Sequence, residues 1–313
     1  MSLIIMPYGN KNDDDDDFGF EASGPVNSGK VDKEATPSGV WMKRGDAFIH
    51  AEGSHTTLPA GVYRVVSTES GLFFQIMEDA GDDLLDWEGS VVSKTMDDMQ
   101  SFWSKGQQFK DMGVAHKRGM LLYGPPGSGK TSVLRAVSKE FVEAGGIVLF
   151  DQSVPEICAG LSLIRRKEPT RPILVLFEDF DKLVKNYEHT LLSLLDGELQ
   201  IDRVVFLATT NYPEKLPPRI INRPSRFDVH IPVGMPDANG RRQFLLNRCP
   251  DKLGDNIEKW VGDTEGFSMA HLKELLISVF ALDVQYEDAL RRLKDMLANK
   301  SIVPDPERPG HFL

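Results

Sequence analysis

Short apolar runs and turn formers alternate over residues 41–92. Ala47-Phe48-Ile49-His50, Gly61-Val62-Tyr63-Arg64-Val65-Val66 and Leu72-Phe73-Phe74-Gln75-Ile76-Met77 predict strands. Glu52-Gly53-Ser54, Leu58-Pro59-Ala60-Gly61 and Glu69-Ser70-Gly71 separate them. Together they predict a small sheet or partial barrel that needs a neighbour to be stable. A helix is predicted over about 95–111, with Thr95 as N-cap and Asp98 three residues on. Met96, Met99, Phe102, Trp103 and Phe109 form its apolar face, and Gly113 stops it. From Arg118 the pattern changes. The apolar runs Met120–Tyr123, Ile147–Phe150, Ile173–Phe177 and Val204–Leu207 alternate with helical segments such as Thr131–Ala144 and His189–Leu195. Continuous apolar runs between helices predict a parallel sheet covered on both faces. After Pro236 the pattern is helical to about Ala298, and Pro304 to Leu313 reads as a tail.

These signals divide the 313 residues into six parts: a disordered acidic leader (1–40), a small β-rich domain (41–92), a helical linker (93–117), an α/β core (118–235), an α-helical lid (236–300) and a tail (301–313). The leader is rich in Gly, Ser, Asn, Asp and Lys and contains the run Asp13–Asp17. Its three lysines face eight acids, so it carries nearly half of the net charge of −11. Neither part is basic, which argues against wide electrostatic binding to nucleic acid. No run of 18 apolar residues predicts a membrane span. Met1–Met6 meets Lys11 and five aspartates rather than a cleavage site, so no secretory signal is expected. Cys158 and Cys249 make no disulfide framework and point to a reducing, cytoplasmic compartment.

The chemistry concentrates in Gly124-Pro125-Pro126-Gly127-Ser128-Gly129-Lys130-Thr131, followed by Ser132. This fits G-x-x-x-x-G-K-[ST], with an apolar strand before it and a helix after it. The glycines let successive N–H groups face a phosphate, and the helix N-terminus adds a positive dipole end. Lys130 sets a compact charge against the β/γ-phosphates, and the Thr131 hydroxyl suits Mg²⁺. ATP and Mg²⁺ are the cofactors implied. Asn27-Ser28-Gly29-Lys30 echoes the motif but lacks the strand, the first glycine and the hydroxyl. A second acidic signal ends the strand Ile173–Phe177, at Glu178-Asp179-Phe180-Asp181. Ligands of open α/β sheets bind at that end of the strands. One carboxylate there can hold Mg²⁺ through water, and the other can orient or deprotonate the attacking water.

With these two motifs in order, residues 112–282 resemble the AAA+ ATPases. That resemblance implies a P-loop three-layer αβα parallel sheet with a C-terminal α-helical lid, here preceded by the small β-rich domain. Members of the family usually carry Asp then Glu where this chain has Glu178 then Asp179. The reversed order, with Thr190–Gly197 and Arg203–Phe206, resembles the branch that contains the mitochondrial Rieske-protein translocase. Position for position, Glu178 takes the metal side and Asp179 the base. Asp is one methylene shorter than Glu, and catalysis is sensitive to a displacement of that size. Slow turnover or shared roles are therefore open.

The same resemblance makes Asn211, in Ala208-Thr209-Thr210-Asn211, a sensor for the γ-phosphate or the water. Arg223 and Arg226, in Leu216–Asp228, match the arginine-finger positions that act on the neighbouring subunit's nucleotide. The alternative for either arginine is a local pair with Asp228 or a helix C-terminus. A homo-oligomeric ring, a hexamer by resemblance, is implied. Gly266–Leu272 resembles the start of the lid helix, without an arginine at the second sensor position, and His271 is read as a surface or packing residue. Threading members usually carry an aromatic in the loop after the second strand, and Ile157–Gly160 has none. No H-E-x-x-H motif is present, which argues against coupled proteolysis. The leading expectation is an ATP-driven ring that remodels or moves a protein, with residues 41–92 supplying recognition. The alternatives are a nucleic-acid-related loader and a slow nucleotide switch that scaffolds an assembly.

Overall fold

The computed structural model describes residues 40–44, 47–51, 55–69, 71–77, 90–150, 153–196, 202–249 and 253–298. Residues 1–39 of the expected leader and the expected tail lie outside them. The chain divides into two compact units. In the unit spanning residues 6–59, β1 (Val40–Arg44) pairs antiparallel with β2 (Ala47–Ala51). The sequence predicts β2 but not β1.

The other unit is built on a seven-stranded sheet. Its strands are β3 (Gly61–Thr68), β4 (Gly71–Ile76), β5 (Lys117–Tyr123), β6 (Ile147–Phe150), β7 (Ile173–Phe177), β8 (Val204–Thr210) and β9 (Val229–Pro232). The spatial order is β4-β3-β6-β7-β8-β5-β9, and only the β3–β4 pair is antiparallel. Every residue of β7 and β8 is buried, the burial expected of strands covered on both faces. One face packs Met120, Leu122, Val148, Leu174, Leu176, Val205 and Leu207 against α1 (Val91–Trp103) and α3 (Lys130–Glu143). The alternate residues Leu121, Leu149, Val175 and Phe206 are equally buried and point to the opposite face by the strand period of two. The helices α4 (Val154–Lys167) and α5 (Phe180–Asp196) pack on each other, and against β3 and β8 respectively. This is the α/β three-layer fold that the strand–helix alternation predicts.

Two boundaries differ from expectation. The hairpin β3–β4, assigned by sequence to a separate β-rich domain, extends the main sheet: Gly61 and Tyr63 pair in parallel with Ile147 and Leu149. Gly160 of α4 lies close against β3, where a Cβ would come within 2.7 Å of the Val65 side chain. The linker helix is really two helices. α1 starts at Val91 with Ser90 as N-cap, its hydroxyl accepting from the Ser93 amide at 2.9 Å. Thr95 is interior and donates its hydroxyl to the Val91 carbonyl. A break at Ser104–Lys105 precedes α2 (Gly106–Asp111). Gly113, at φ 67°, closes α2 as predicted: its amide bonds the Lys110 carbonyl, and the Val114 amide bonds that of Phe109.

Four longer helices follow a short one, α6 (Pro218–Ile221). They are α7 (Ala238–Arg248), α8 (Ile257–Asp263), α9 (Met269–Phe280) and α10 (Tyr286–Ala298). They share a core of Phe244, Leu245, Trp260, Phe267, Leu272, Leu275 and Leu293, with Trp260 stacked on Phe280. This is the small helical subdomain predicted after Pro236. Among the described residues no helix is long and apolar enough to cross a membrane.

Candidate active site

The glycine loop lies between β5 and α3. Gly124, Gly127 and Gly129 take φ 159°, 77° and 101°, so the last two adopt a left-handed backbone. At Gly124 the demand is steric, since a Cβ would sit 2.1 Å from the Val233 carbonyl oxygen. The loop folds around its own lysine. Lys130 Nζ donates to the Gly124 and Pro125 carbonyls at 2.8 Å each and approaches Ser128 Oγ at 3.4 Å. Burial pushes the ammonium below the ordinary lysine value, and the nearby Asp179 carboxylate opposes that shift.

A cleft of about 420 Å³ opens over this loop. Pro126, Gly127, Gly129, Lys130, Thr131 and Ser132 line it from one side, and Asp179, Thr209 and Asn211 from the strand ends. The parallel sheet causes this convergence, because β5, β7 and β8 deliver their C-terminal ends to one edge. Asp179 takes φ 47°, an uncommon left-handed conformation for a residue with a side chain. Its carbonyl accepts the amides of Lys182 and Leu183, which starts α5. Its Oδ2 accepts Lys182 Nζ at 2.7 Å. Next to it, Asp181 Oδ1 accepts the Thr210 hydroxyl at 2.7 Å, and Thr210 Oγ1 in turn accepts the Tyr212 amide. These bonds brace the turn that carries Asn211.

The two acids part ways. Asp179 lines the cleft beside Asn211, whereas Glu178 lines an adjoining, mostly apolar cavity of about 560 Å³ with Leu134, Phe150 and Leu176. Thr131 lines both. Among the described residues no three His, Cys, Asp or Glu side chains cluster to hold a metal by themselves. A hydroxyl and one carboxylate on a shared cavity are still a suitable donor set for Mg²⁺, which keeps waters and takes substrate phosphates as ligands. The residues present therefore fit the ion.

Residues 120–235 match the family model described as "ATPase family associated with various cellular activities (AAA)". This segment is an AAA ATPase domain. It runs from β5 through β9 and contains the glycine loop, Glu178, Asp179, Asn211, Arg223 and Arg226. The α/β portion of the chain thus carries a domain similar to those of the AAA ATPases.

The AAA domain is completed by residues from outside the matched segment. Phe244 and Arg248 of α7 and Met269, Ala270 and Lys273 of α9 also line the cleft. The sequence offered one usable signal for them. Once Ser268 is taken as the helix cap, positions 269 and 273 fall on one helical face. The absence of a lid arginine at the expected position therefore does not leave the lid without cations. His271 bonds Ser268 Oγ through Nδ1 at 2.6 Å and is half-buried beside Phe267. A third cavity of about 200 Å³ adjoins the cleft, sharing Gly129 and Met269 with it. Val91, Val92, Val133, Val233 and Gly234 make it apolar. Of its polar side chains, Ser90 and Asp237 are engaged as helix caps, Asp237 Oδ1 accepting the Gly240 amide at 2.7 Å, and Ser128 Oγ lies 3.4 Å from Lys130 Nζ.

Neither arginine-finger candidate lines the cleft of its own chain. Arg223 has a side chain 64% exposed. Arg226 is only 3% exposed. It takes a local pair, as the sequence left open, but with Asp196 rather than Asp228, whose Oδ1 accepts the Ser225 amide. Arg219 forms a forked pair with Glu188 at the surface. Of the segment expected to hold a threading loop, Ile157 and Gly160 are buried in α4, and Asp151 and Gln152 lie outside the described residues.

Proposed function

We propose that this chain is an ATP-hydrolysing homo-oligomeric ring that remodels or moves a protein substrate, each nucleotide site being completed by Arg223 of the next subunit. The observation that carries this reading is the division of the chemistry. One cleft gathers Lys130, Thr131, Asp179 and Asn211, while the exposed Arg223 lies outside it. A finger that does not reach its own cleft fits a head-to-tail contact, which closes into a ring.

In this reading the adenine occupies the apolar cavity between Val91, Gly234 and Met269, and the triphosphate lies along the glycine loop. Lys130 leaves its loop carbonyls to meet the β/γ-phosphates. Thr131 and Glu178 would hold Mg²⁺, which would offset charge on the phosphates. Asn211 donates its amide to a γ-phosphate oxygen or the attacking water. Asp179 takes the proton of that water as its oxygen bonds the γ-phosphorus and the bond from the γ-phosphorus to the bridging oxygen breaks, giving ADP and phosphate. Arg223 stabilises the charge spread over the transferring group. The acid order supports placement near the branch of the mitochondrial Rieske-protein translocase. With β3 and β4 taken into the ATPase sheet, substrate recognition falls to the unit of residues 6–59.

A second reading, a slow switch, is favoured by the short Asp179 side chain and its tie to Lys182. Turnover and solution mass, each measured with ATP and with ADP, separate the two. The motor predicts sustained turnover in an ATP-stabilised ring. A ring with negligible turnover supports the switch, and a monomer under saturating ATP contradicts both.

A further inference from the structure

We propose that Arg226 is not a second finger but a strut, which with Asp196 holds the loop that presents Arg223. The inference rests on the shared-site reading above and assigns the part of that site that sets the finger's position. Arg226 makes a fork-on-fork pair with Asp196: Nε to Oδ1 and Nη2 to Oδ2, both 2.7 Å. Its remaining Nη1 donates to the Arg219 carbonyl in α6. All three nitrogens are thus engaged within one chain, on a side chain that is almost fully buried. Moving that guanidinium to a phosphate on another subunit would break a bidentate charge-assisted pair.

The backbone around Arg226 is fixed as firmly as its side chain. The Arg226 carbonyl oxygen lies 1.8 Å from where a Cβ on Gly119 would be, so the loop is pressed onto β5. The Asp228 amide bonds the Gly119 carbonyl at 3.0 Å. Phe227 is buried against Phe180, ring centroids 4.8 Å apart. Three residues earlier the character reverses. Arg223 approaches Asp196 Oδ2 only at 3.9 Å and projects outward. The two arginines share one carboxylate, and the buried one holds it closely. That pairing, Arg226 foremost, keeps the Asp196 carboxyl below the usual aspartate value.

Asp196 is the last residue of α5, and α5 begins directly after Asp179. The segment, two helical stretches joined by a kink at Tyr187 (φ −132°, ψ 26°), therefore links the base of a subunit's own cleft to the strut of the finger it offers its neighbour. Asp196 and Arg226 are positioning residues for Arg223.

The test compares Arg223→Ala, Arg226→Ala, Asp196→Asn and the double variant Arg223→Ala/Arg226→Ala, reading ATP turnover, ATP affinity and assembled mass. The strut predicts that Arg223→Ala lowers kcat by roughly 10³-fold. Arg226→Ala and Asp196→Asn each lower it by about 10²-fold, the cost of a misplaced group. ATP affinity and ring mass stay as in wild type. The double variant is no slower than Arg223→Ala alone, within about twofold. A direct finger predicts the opposite: the losses multiply, and Asp196→Asn, which frees Arg226, leaves turnover intact. If Asp196→Asn fails to fold, Asp196→Glu keeps the charge and moves it by one methylene. Lowered kcat supports the strut, and normal kcat overturns it. Normal turnover in Arg223→Ala sinks the shared site and the strut together, whereas a slow Arg223→Ala beside a normal Asp196 variant sinks the strut alone.

Discussion

Lys182 Nζ lies 2.7 Å from Asp179 Oδ2, three residues on in the helix that starts just past the end of β7. Both side chains face solvent, at 73% and 48% exposure, so the pair is screened and opens readily. It sets the resting position of Asp179 without holding the fold. Lys182→Ala is therefore expected to leave the melting temperature unchanged. Asp179→Asn is expected to keep ATP affinity and lower kcat by roughly 10²–10⁴-fold, the range for loss of a general base. Unimpaired turnover in Asp179→Asn would pass the base role to Glu178.

The buried ammonium of Lys130 makes nucleotide binding sensitive to alkaline pH. Its protonated form is the one that meets phosphate, and burial has lowered its pKa from 10.5. As pH rises through that lowered value the charge is lost, and ATP affinity falls. The decline should begin at lower pH than an ordinary lysine would give. Lys130→Arg, which stays charged, should show a flatter profile, and Lys130→Ala should bind no ATP. Titration of fluorescent ATP-analogue binding across this range checks all three.

His116 is packed against Phe102, Trp103 and Phe109, and its Nε2 bonds the Phe102 carbonyl at 2.9 Å. Burial lowers its pKa below 6.5, opposed by that bond and by Asp202. The unfolded chain then takes up the proton first as pH falls. Stability contributed here is present above 6.5 and is lost on acidification below it, towards the folded-state value. His116→Phe should flatten the thermal-stability profile across that window. An unchanged profile would mean that another group carries the acid dependence.

Among the described glycines, Gly119 is the one whose added Cβ would meet a neighbour most closely, the Arg226 carbonyl oxygen at 1.8 Å. A methyl group has no room there, since the atom it meets is a carbonyl oxygen rather than a movable side chain. Gly119→Ala is expected to cost about 1–3 kcal/mol by overpacking. It should also lower turnover more than ATP affinity, because it displaces the loop that bears Arg223. Denaturant unfolding and steady-state kinetics on the same sample report both effects.

The parts of this molecule that were legible in the sequence are those whose signals are local. The glycine loop, the apolar run ending in Glu178-Asp179 and the strand before Asn211 each announce themselves within about ten residues. The missed parts depend on partners far along the chain. Gly61 pairs with Ile147 across 86 positions, so nothing near β3 says that it belongs to the ATPase sheet. Arg226 is buried because Asp196, 30 residues earlier, is placed to receive it. Thr95 with Asp98 imitates a capping pair, while the true cap, Ser90, is followed by Val91 and Val92, which read as strand. Lys273 and Arg248 reach the cleft only because the lid folds back over the glycine loop.

The shared nucleotide site is tested most directly by mixing two inactive variants. Lys130→Ala removes a subunit's nucleotide but keeps its Arg223. Arg223→Ala keeps the nucleotide but offers no finger. Alone, each should hydrolyse almost no ATP. Co-assembled, they should regain turnover at interfaces where an intact cleft meets an intact Arg223. Mixed assemblies, proven by mass, whose activity remains no more than the sum of the two components would contradict it.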